Sequence, residues 1–502
     1  MSRRRGVVFS YVLLAVEVAS SLLFTPYLIR SLGQAEYGLY SLVASITAYF
    51  VLLDAGVGNA LVRYIAKFRV SDDLLQQKRL LGLSVLYYSG IGVVVTLLGL
   101  LLQDNLASIF GGGLTVAELE RAGTMLNITL LNAALALVIS AFDRTIIAYE
   151  RFVLSKCLLI ARVILRVMVL TVLLYIGYRA VTVVLVNLVL TVVFGAIAVS
   201  FVLFGLRVRP MFSGIKFSFV REVLGYSTFI FIQMVATQIS SMTDQVLLGI
   251  MTTSVTIGIY AVGAQVAMYF QSIAGSINSV LMPGVVRMVE NDTCPEALSR
   301  EMVKVGRLIF IVLGPILVGF AVCGRSFIRL WAGAANEQAY WVALILMTSM
   351  LLFLVQSIGS QILWAMGRHK VQAVLKIGVA VVNIALTVVL IRWRPLVGAS
   401  LGTAIAYMLG DVVVMNVVFS RDIGISMKTY YAGLFRGVVP CLLLSGLVGG
   451  MVTLLDLPDL PHLVVGGTSI LLVYAVTMVA FGMSSYERGL LSSLLRRTKA
   501  HT

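Results

Sequence analysis

The sequence has few residues of the kinds that build soluble sites. Only 12% of its 502 residues are charged, where a soluble domain has about 25%. Its four cysteines are scattered singly, which excludes a CxxC zinc site and a disulfide framework. Three histidines leave almost no material for a metal site, and no cofactor is predicted. The net charge of +16 is spread between apolar runs rather than clustered, so nucleic acid is not an expected partner.

Long apolar runs fill the chain instead. Hydrophobic residues make up 60% of it, and the mean hydropathy is +1.01. About 20 apolar residues in a row can cross a bilayer as a helix, because hydrocarbon cannot satisfy free backbone N–H and C=O groups. The runs predict an all-α integral membrane protein with fourteen transmembrane helices. The predicted spans are 7–30, 37–60, 80–102, 122–146, 157–177, 181–205, 224–250, 256–282, 307–324, 340–366, 372–391, 397–419, 437–455 and 462–482.

Arginine and lysine alternate in step with these spans. If the basic segment 2–5 is cytoplasmic, the inner gaps hold about four times as many arginines and lysines as the outer ones. This bias predicts that both termini are cytoplasmic and that the protein lies in the cell membrane. The basic tail 484–502 is expected to anchor the chain at the inner face, with binding to anionic lipid as the alternative.

An internal repeat is visible at an offset of 220 positions. Residues 37–61 align without gaps to residues 257–281, with identities that include Gly38/Gly258 and Tyr40/Tyr260. Both segments fall in the second helix of a set of six. We therefore expect an N-terminal lobe over 1–222, a C-terminal lobe over 223–436, and a last helix pair with the basic tail over 437–502. Such repeats commonly build transporters, whose substrate lies between two rocking lobes.

The openings of both repeats resemble those of the polysaccharide flippases. The resemblance rests on Leu32-Gly33-x3-Tyr37-Gly38-x-Tyr40, Leu53-Asp54-x-Gly56-x4-Leu61-Val62-Arg63-Tyr64, and Asp244-x4-Gly249 with Gly258-x-Tyr260. These flippases belong to a larger group that also contains twelve-helix multidrug exporters. The match is close in helices 1–2 and 7–8 and rests on topology elsewhere. The related lipid II flippases carry cations in helix 1, where this chain has Ser20, Ser21 and Leu22, which argues against lipid II as the substrate.

The resemblance implies a non-enzymatic function, the export of a polyprenyl-diphosphate-linked glycan for surface polysaccharide synthesis. It also implies a polysaccharide polymerase and glycosyltransferases as partners, with membrane lipid around the chain. A cation-coupled multidrug antiporter is the first alternative, although such proteins have twelve helices and an acid-rich cavity. A membrane-embedded glycosyltransferase or polymer ligase is the second, but it would carry a large outer loop, and no predicted outer loop exceeds about 20 residues.

Ionisable residues inside a bilayer are costly and therefore informative. Arg162 and Arg166 lie one turn apart on one face of helix 5, with Arg166 roughly 14 Å deep. Two guanidiniums on one face suit a diphosphate. The alternative is an ion pair between Arg166 and Glu17, which lies at a similar depth, or an alternation between the two states.

Other polar residues have less specific patterns. Asp244 is either a carboxylate that couples to a cation or contacts sugar, or one hydrogen-bonded to neighbouring hydroxyls. Asp54 and Arg63 are expected to cap or gate the inner end of helix 2, with substrate contact as the alternative. Lys376 and Asp411 are predicted to pair with each other. The amides of helices 7–8 and 10–11 either hydrogen-bond sugar or join helices, and those chosen as substrate contacts are Gln265, Gln271 and Gln361.

Overall fold

The computed structural model describes residues 2–213 and 234–489, apart from 52, 53, 55, 56, 236, 240, 292 and 293. Regular structure in these residues is helical, as the hydropathy pattern predicts. The first helices are α1 (Ser2–Val51), α2 (Val57–Val70), α3 (Leu74–Asp104), α4 (Leu106–Phe110), α5 (Val116–Ala148), α6 (Phe152–Tyr175) and α7 (Ala180–Ser200). Residues 241–251 are also helical.

The later helices begin at residue 254. They are α8 (Ser254–Glu290), α9 (Pro295–Ala332), α10 (Ala339–Val355), α11 (Ser357–Ala365), α12 (His369–Ile391), α13 (Pro395–Tyr407), α14 (Met415–Val418), α15 (Met427–Phe435), α16 (Val438–Thr453) and α17 (Asp459–Thr477). Four short stretches have π-helical geometry: Phe201–Gly205, Met408–Val414, Phe419–Ile423 and Met478–Gly482.

Helix α1 holds the predicted span 7–30 and the larger part of the predicted span 37–60. Gly33 interrupts it with φ 77° and ψ 171°, a conformation that glycine adopts without the steric cost of a Cβ. The chain bends there, so that the two predicted spans are joined in one element, but α1 ends at Val51 and residues 57–60 of the second span belong to α2. We call residues 2–32 the first arm of α1 and residues 34–51 its second arm. The second arm opens the internal repeat.

Ten helices of the described residues are long and apolar enough to cross a membrane, or up to twelve if each of two bent pairs is one span. The bent pairs are α10 with α11, at 42°, and α15 with α16, at 43°. The predicted total of fourteen is not confirmed. The two arms of α1 fall in one helix. Residues 224–233, 236 and 240 of the predicted span 224–250 lie outside the described residues, as does most of the basic tail.

The chain divides into two compact units. The first comprises Met1–Ala261 with Ile391–Pro395. Within it, α5 packs against α2, α3 and α7, and α6 packs against α1. Leu126, Ala141 and Ile146 of α5 are completely buried by these neighbours. The interior of this unit therefore forms around one face of α5, while other residues of this helix, such as Leu131, stay exposed.

The second unit comprises Val262–Leu390 with Leu396–Thr502. Helix α9 lies at its centre and contacts α10, α15, α16 and α17. The Tyr474 hydroxyl of α17 donates a hydrogen bond to the carbonyl of Ile311 on α9 at 3.0 Å. The last predicted helix pair thus packs directly on α9. The lobe boundaries at 222 and 436 stay a prediction.

Candidate substrate site

Two arginines on α6 face hydroxyl groups of neighbouring helices. Arg162 Nη2 donates to Thr191 Oγ1 of α7 at 2.7 Å. Arg166 Nη2 donates to the hydroxyl of Tyr40, in the second arm of α1, at 3.4 Å. Both arginines are half-buried, and their charges lie close enough to repel each other. Both arginines donate to neutral hydroxyls rather than to carboxylates, and the charge of Asp143 offsets only part of that of Arg162. The pair therefore retains an attraction for an anion.

A cavity of about 250 Å³ lies beside this pair. Asn187 lines the cavity, and its carbonyl accepts a hydrogen bond from Thr191, the partner of Arg162, at 2.9 Å. Tyr40, the partner of Arg166, also lines it. The arginines do not line the cavity themselves, but Arg166 is hydrogen-bonded to its wall through Tyr40, and Arg162 through Thr191 and Asn187. Its walls come from the second arm of α1, α5 and α7, through Tyr40, Ala44, Thr47, Ala48, Thr129, Asn132, Val184 and Asn187.

Two buried polar atoms, one on the cavity wall and one on an arginine bonded to that wall, have no hydrogen-bond partner among the described residues. They are Arg166 Nε and Asn132 Oδ1. A buried donor left without an acceptor costs about 1–3 kcal/mol. An oxygen-rich anion beside Arg166 would accept from this N–H and relieve the cost. The unpartnered Nε is thus compatible with an anionic ligand beside Arg166.

The ion pair between Arg166 and Glu17 does not form. Glu17 is exposed on the first arm of α1, whereas the guanidinium of Arg166 contacts Tyr40 on the second arm. Equal depth suggested the pair, but depth does not specify the direction in which a side chain leaves its helix. This alternative, which would have made Arg166 purely structural, was wrong for the conformation described here.

Asp143 is a charged neighbour that our sequence analysis missed. It is exposed on α5, and its negative charge interacts with those of Arg162 and of its own neighbour, Arg144. Asp143 and Arg144 are the ionisable residues of the predicted span 122–146. Charge inside a predicted span was the criterion that selected Arg166, and it would have selected these two as well.

Asp54 and Arg63, predicted to lie near the inner end of helix 2, have different surroundings. Tyr88 of α3 donates a hydrogen bond to Asp54 Oδ1, and Arg144 lies close by, against Gly58. Arg63 is exposed. The hydrogen bond gives Asp54 a structural role at the break between α1 and α2, while gating by either residue stays a prediction.

Asp244 is buried, with 3% of its surface exposed, and Tyr260 donates a hydrogen bond to its Oδ2. The adjacent Thr243 Oγ1 lies 2.7 Å from the Tyr49 hydroxyl. Asp244 is thus hydrogen-bonded to a hydroxyl, although this hydroxyl comes from Tyr260 on another helix. Both interpretations of Asp244, including ion coupling, stay predictions. Gln233 and Ser240, which precede Asp244 in the sequence, lie outside the described residues.

The repeat places equivalent tyrosines beside opposite charges. Tyr40 and Tyr260 align at the offset of 220. The Tyr40 hydroxyl accepts from the cation Arg166, and the Tyr260 hydroxyl donates to the anion Asp244. The two aligned tyrosines thus each hydrogen-bond to a charged residue, but the charge is positive beside Tyr40 and negative beside Tyr260. This difference accords with a positive site beside the first repeat.

The predicted pair of Lys376 and Asp411 is confirmed. Lys376 Nζ lies 2.7 Å from Asp411 Oδ1. Asp411 lies in the π-helical stretch Met408–Val414, and its carbonyl accepts a hydrogen bond from Gln356 Nε2 at 2.6 Å. π-Helical turns are frequent at functional sites, but a gating role for this pair stays a prediction.

The amides predicted to contact sugar occupy two kinds of environment. Gln271 is exposed, and Gln265 and Gln361 are half-buried. By contrast, Asn383 is fully buried and its Oδ1 accepts from Thr387 and Thr403, on α12 and α13, so this amide joins helices. Sugar binding by the three glutamines stays a prediction.

The chain matches a known protein family and a curated relative over slightly more than half of its length. The sequence model of a family described as "Polysaccharide biosynthesis protein" matches residues 7–289, more than half of the chain. A curated relative is the "Probable low-salt glycan biosynthesis flippase Agl15" of Haloferax volcanii, which is 22% identical over 266 residues. That alignment covers 53% of this chain and 56% of the relative, so the chain spans little more than half the length of the relative it matches.

Solved structures share the fold. The lipid II flippase MurJ in an inward closed conformation has a TM-score of 0.74 at 12% identity, over 97% of this chain and 100% of that one. An inward-facing multidrug resistance transporter of the MATE family has a TM-score of 0.63 at 15% identity, over 81% of this chain and 94% of that one. At these identities the likeness concerns the fold alone.

Proposed function

The chain belongs to the polysaccharide biosynthesis protein family, and from this membership we propose that it is a flippase for lipid-linked glycan. Its substrate is a polyprenyl-diphosphate-linked oligosaccharide, which it moves from the cytoplasmic to the outer face of the cell membrane. The observation that carries this proposal is the pair of arginines at the first-unit cavity, with the unpartnered Nε of Arg166. A diphosphate offers several anionic oxygens to such a pair.

The mechanism we propose is alternating access between the two lobes expected from the repeat. The diphosphate binds Arg162 and Arg166 while the sugar contacts amides such as Gln265, Gln271 and Gln361. The charge asymmetry of the loops supports cytoplasmic termini. A polymerase and glycosyltransferases are the proposed partners, because they would consume and supply the lipid-linked glycan.

A cation-coupled multidrug antiporter is the competing proposal, supported by the fold shared with a MATE transporter. The charge of the cavity argues against it. The two guanidiniums, whose hydrogen-bond partners are neutral hydroxyls, would repel a cationic drug, and like-charge contacts at a binding site cost several kcal/mol. Anionic substrates are favoured by the same groups.

Replacing Arg166 tests the proposed function. Charged hydrogen bonds contribute about 1.5–3 kcal/mol each, so Arg166→Ala should slow the flipping of a polyprenyl diphosphate-linked sugar in proteoliposomes by roughly 10- to 100-fold. Arg166→Lys should restore little, because an ammonium cannot replace the planar fork. Arg179→Ala, which removes an exposed arginine before α7, is the matched control and should flip at the wild-type rate. Normal flipping by Arg166→Ala would remove the basis of the proposal.

Asp244 tests how transport is energised. Outward movement of an anion from a negative interior is electrically favourable by about 2.3 kcal/mol per charge per 100 mV, so membrane potential alone could drive net export. We expect Asp244→Asn to keep its responses both to an imposed potential and to a proton or sodium gradient, because Tyr260 already engages this buried carboxylate. Tyr87→Phe, on α3, is the control for losses during purification and reconstitution. Loss of only the gradient response in Asp244→Asn would instead establish coupling through the carboxylate.

A further inference from the structure

The first unit also contains a second, mainly apolar space. A groove of about 500 Å³ runs between the first arm of α1 and α6. Its walls are mainly apolar. They are formed by Val16, Ala19, Ser20, Leu23, Phe24 and Tyr27 of α1 and by Val167 and Thr171 of α6.

The groove follows a continuous face of α1. Its residues recur at intervals of three and four, from Val16 to Tyr27, which corresponds to a length of roughly 16 Å along the helix. Two of the hydroxyl groups along it are already engaged. The Tyr27 hydroxyl donates to the carbonyl of Thr171 at 3.0 Å, and the Thr171 hydroxyl donates to the carbonyl of Val167 at 2.7 Å. The groove therefore suits an elongated apolar ligand.

The position of the groove links it to the arginines. Val167, on its wall, directly follows Arg166, which donates to Tyr40 on the wall of the first cavity. Helix α6 thus presents a cationic residue towards the second arm of α1 and an apolar groove towards the first arm. A ligand with a charged head and an apolar chain would match both sides at once.

We propose that this groove binds the polyprenyl chain of the substrate while the diphosphate occupies the arginine site. The assignment rests on the proposed function and adds a site for the lipid part. The occupant is a polyprenyl diphosphate rather than a bulk phospholipid because two guanidiniums at the adjoining site complement the charge of a diphosphate better than that of a single phosphodiester.

The test uses the full chain in proteoliposomes and a polyprenyl diphosphate with a photoreactive diazirine on its chain. Illumination of wild-type protein should label the segment 16–27 or the wall of α6. Unlabelled polyprenyl diphosphate should suppress the labelling, and excess phosphatidylglycerol should not. Ala19→Trp fills the groove and should reduce both labelling and the apparent affinity about tenfold, which is the effect of about 1.4 kcal/mol. Val167→Trp fills it from the opposite wall and should have the same effect.

Val18→Trp is the matched control, because Val18 is exposed on the opposite face of the same turn and does not line the groove. It should label and flip as wild type does. Labelling that phosphatidylglycerol suppresses equally would assign the groove to ordinary lipid and overturn the inference. Wild-type flipping by both groove-filling variants would also overturn it while leaving the proposed function standing. If the wild-type protein labels in the groove and yet flips no lipid-linked sugar, the lipid site stands and the proposed function fails.

Discussion

Replacing Arg307 with leucine is expected to destabilise the second unit by about 3–5 kcal/mol, the usual cost of breaking one side of a buried ion pair. Only 9% of the Arg307 side chain is exposed. Its Nε donates to Glu487 Oε1 at 2.7 Å and its Nη2 to Glu487 Oε2 at 3.1 Å. The remaining N–H groups donate to the carbonyls of Gly433, Arg436 and Gly482. Arg307 thus joins α9 to the segment just before α16, through Gly433 and Arg436, and to the segment just after α17, through Gly482 and Glu487.

The contacts with Arg307 also set the pKa of the Glu487 carboxyl. Burial alone would raise the pKa of Glu487, but hydrogen bonds from Arg307 and Ser484, with the Arg307 charge, outweigh burial and hold this pKa below its ordinary value. A lowered folded-state pKa means that the ion pair stabilises the fold above the unfolded pKa of about 4.3. This contribution is lost as the pH falls through the lower folded value. The pair should therefore be fully formed at neutral pH.

Thermal unfolding of purified protein in detergent measures the effect. Arg307→Leu should lower the melting temperature far more than Glu301→Ala, which removes a partly exposed pair with Lys304. Pairs of that kind contribute about 0–1 kcal/mol. Glu487→Gln should fall between the two, because the amide oxygen can still accept one hydrogen bond. Equal melting temperatures for Arg307→Leu and Glu301→Ala would show that the buried contacts contribute little.

Sequence patterns could predict the class of fold because the bilayer imposes a simple requirement of length and apolarity. Depth within a span was also sufficient for Lys376 and Asp411, which lie on helices that turned out to face each other. It was not sufficient for Glu17 and Arg166, since two residues at one depth can leave their helices in different directions. Direction depends on how helices pack, which hydropathy does not encode.

Only part of the candidate site could be predicted, because its remaining contacts depend on how the helices pack. The two arginines could be selected because charge is rare within a span. Asn132 and the Thr191 hydroxyl could not, since single amides and hydroxyls in membrane helices most often join helices. The contact between Arg307 and Glu487 joins residues 180 positions apart, and both lie where the sequence suggests ordinary cytoplasmic charge. Only the packing of α9 against the last helices shows that they are buried.

The start of the second arm of α1 meets the start of α8 at the two glycines that the repeat aligns. A Cβ on Gly38 would lie 1.9 Å from the carbonyl oxygen of Ser254 and 2.9 Å from the Gly258 nitrogen. A Cβ on Gly258 would lie 2.3 Å from the carbonyl oxygen of Gln34. The obstructing atoms belong to the backbone, so they cannot move aside as a flexible side chain would. Equivalent positions of the two repeats therefore meet each other directly, and any side chain at either position must push the helices apart.

Gly38→Val is accordingly expected to destabilise the first unit by about 1–3 kcal/mol or more, since about 1–3 kcal/mol is the usual cost of overpacking. Gly258→Val should cost a similar amount. Gly275→Val is the matched control on α8, because no atom lies within 4 Å of the Cβ it would add. The double variant Gly38→Val/Gly258→Val supplies the sharper test. Once one side chain has separated the helices, the second meets less resistance, so the double loss should be smaller than the sum of the single losses. Strictly additive losses in thermal unfolding would mean that the two glycines act at independent contacts, contrary to their direct approach in the fold.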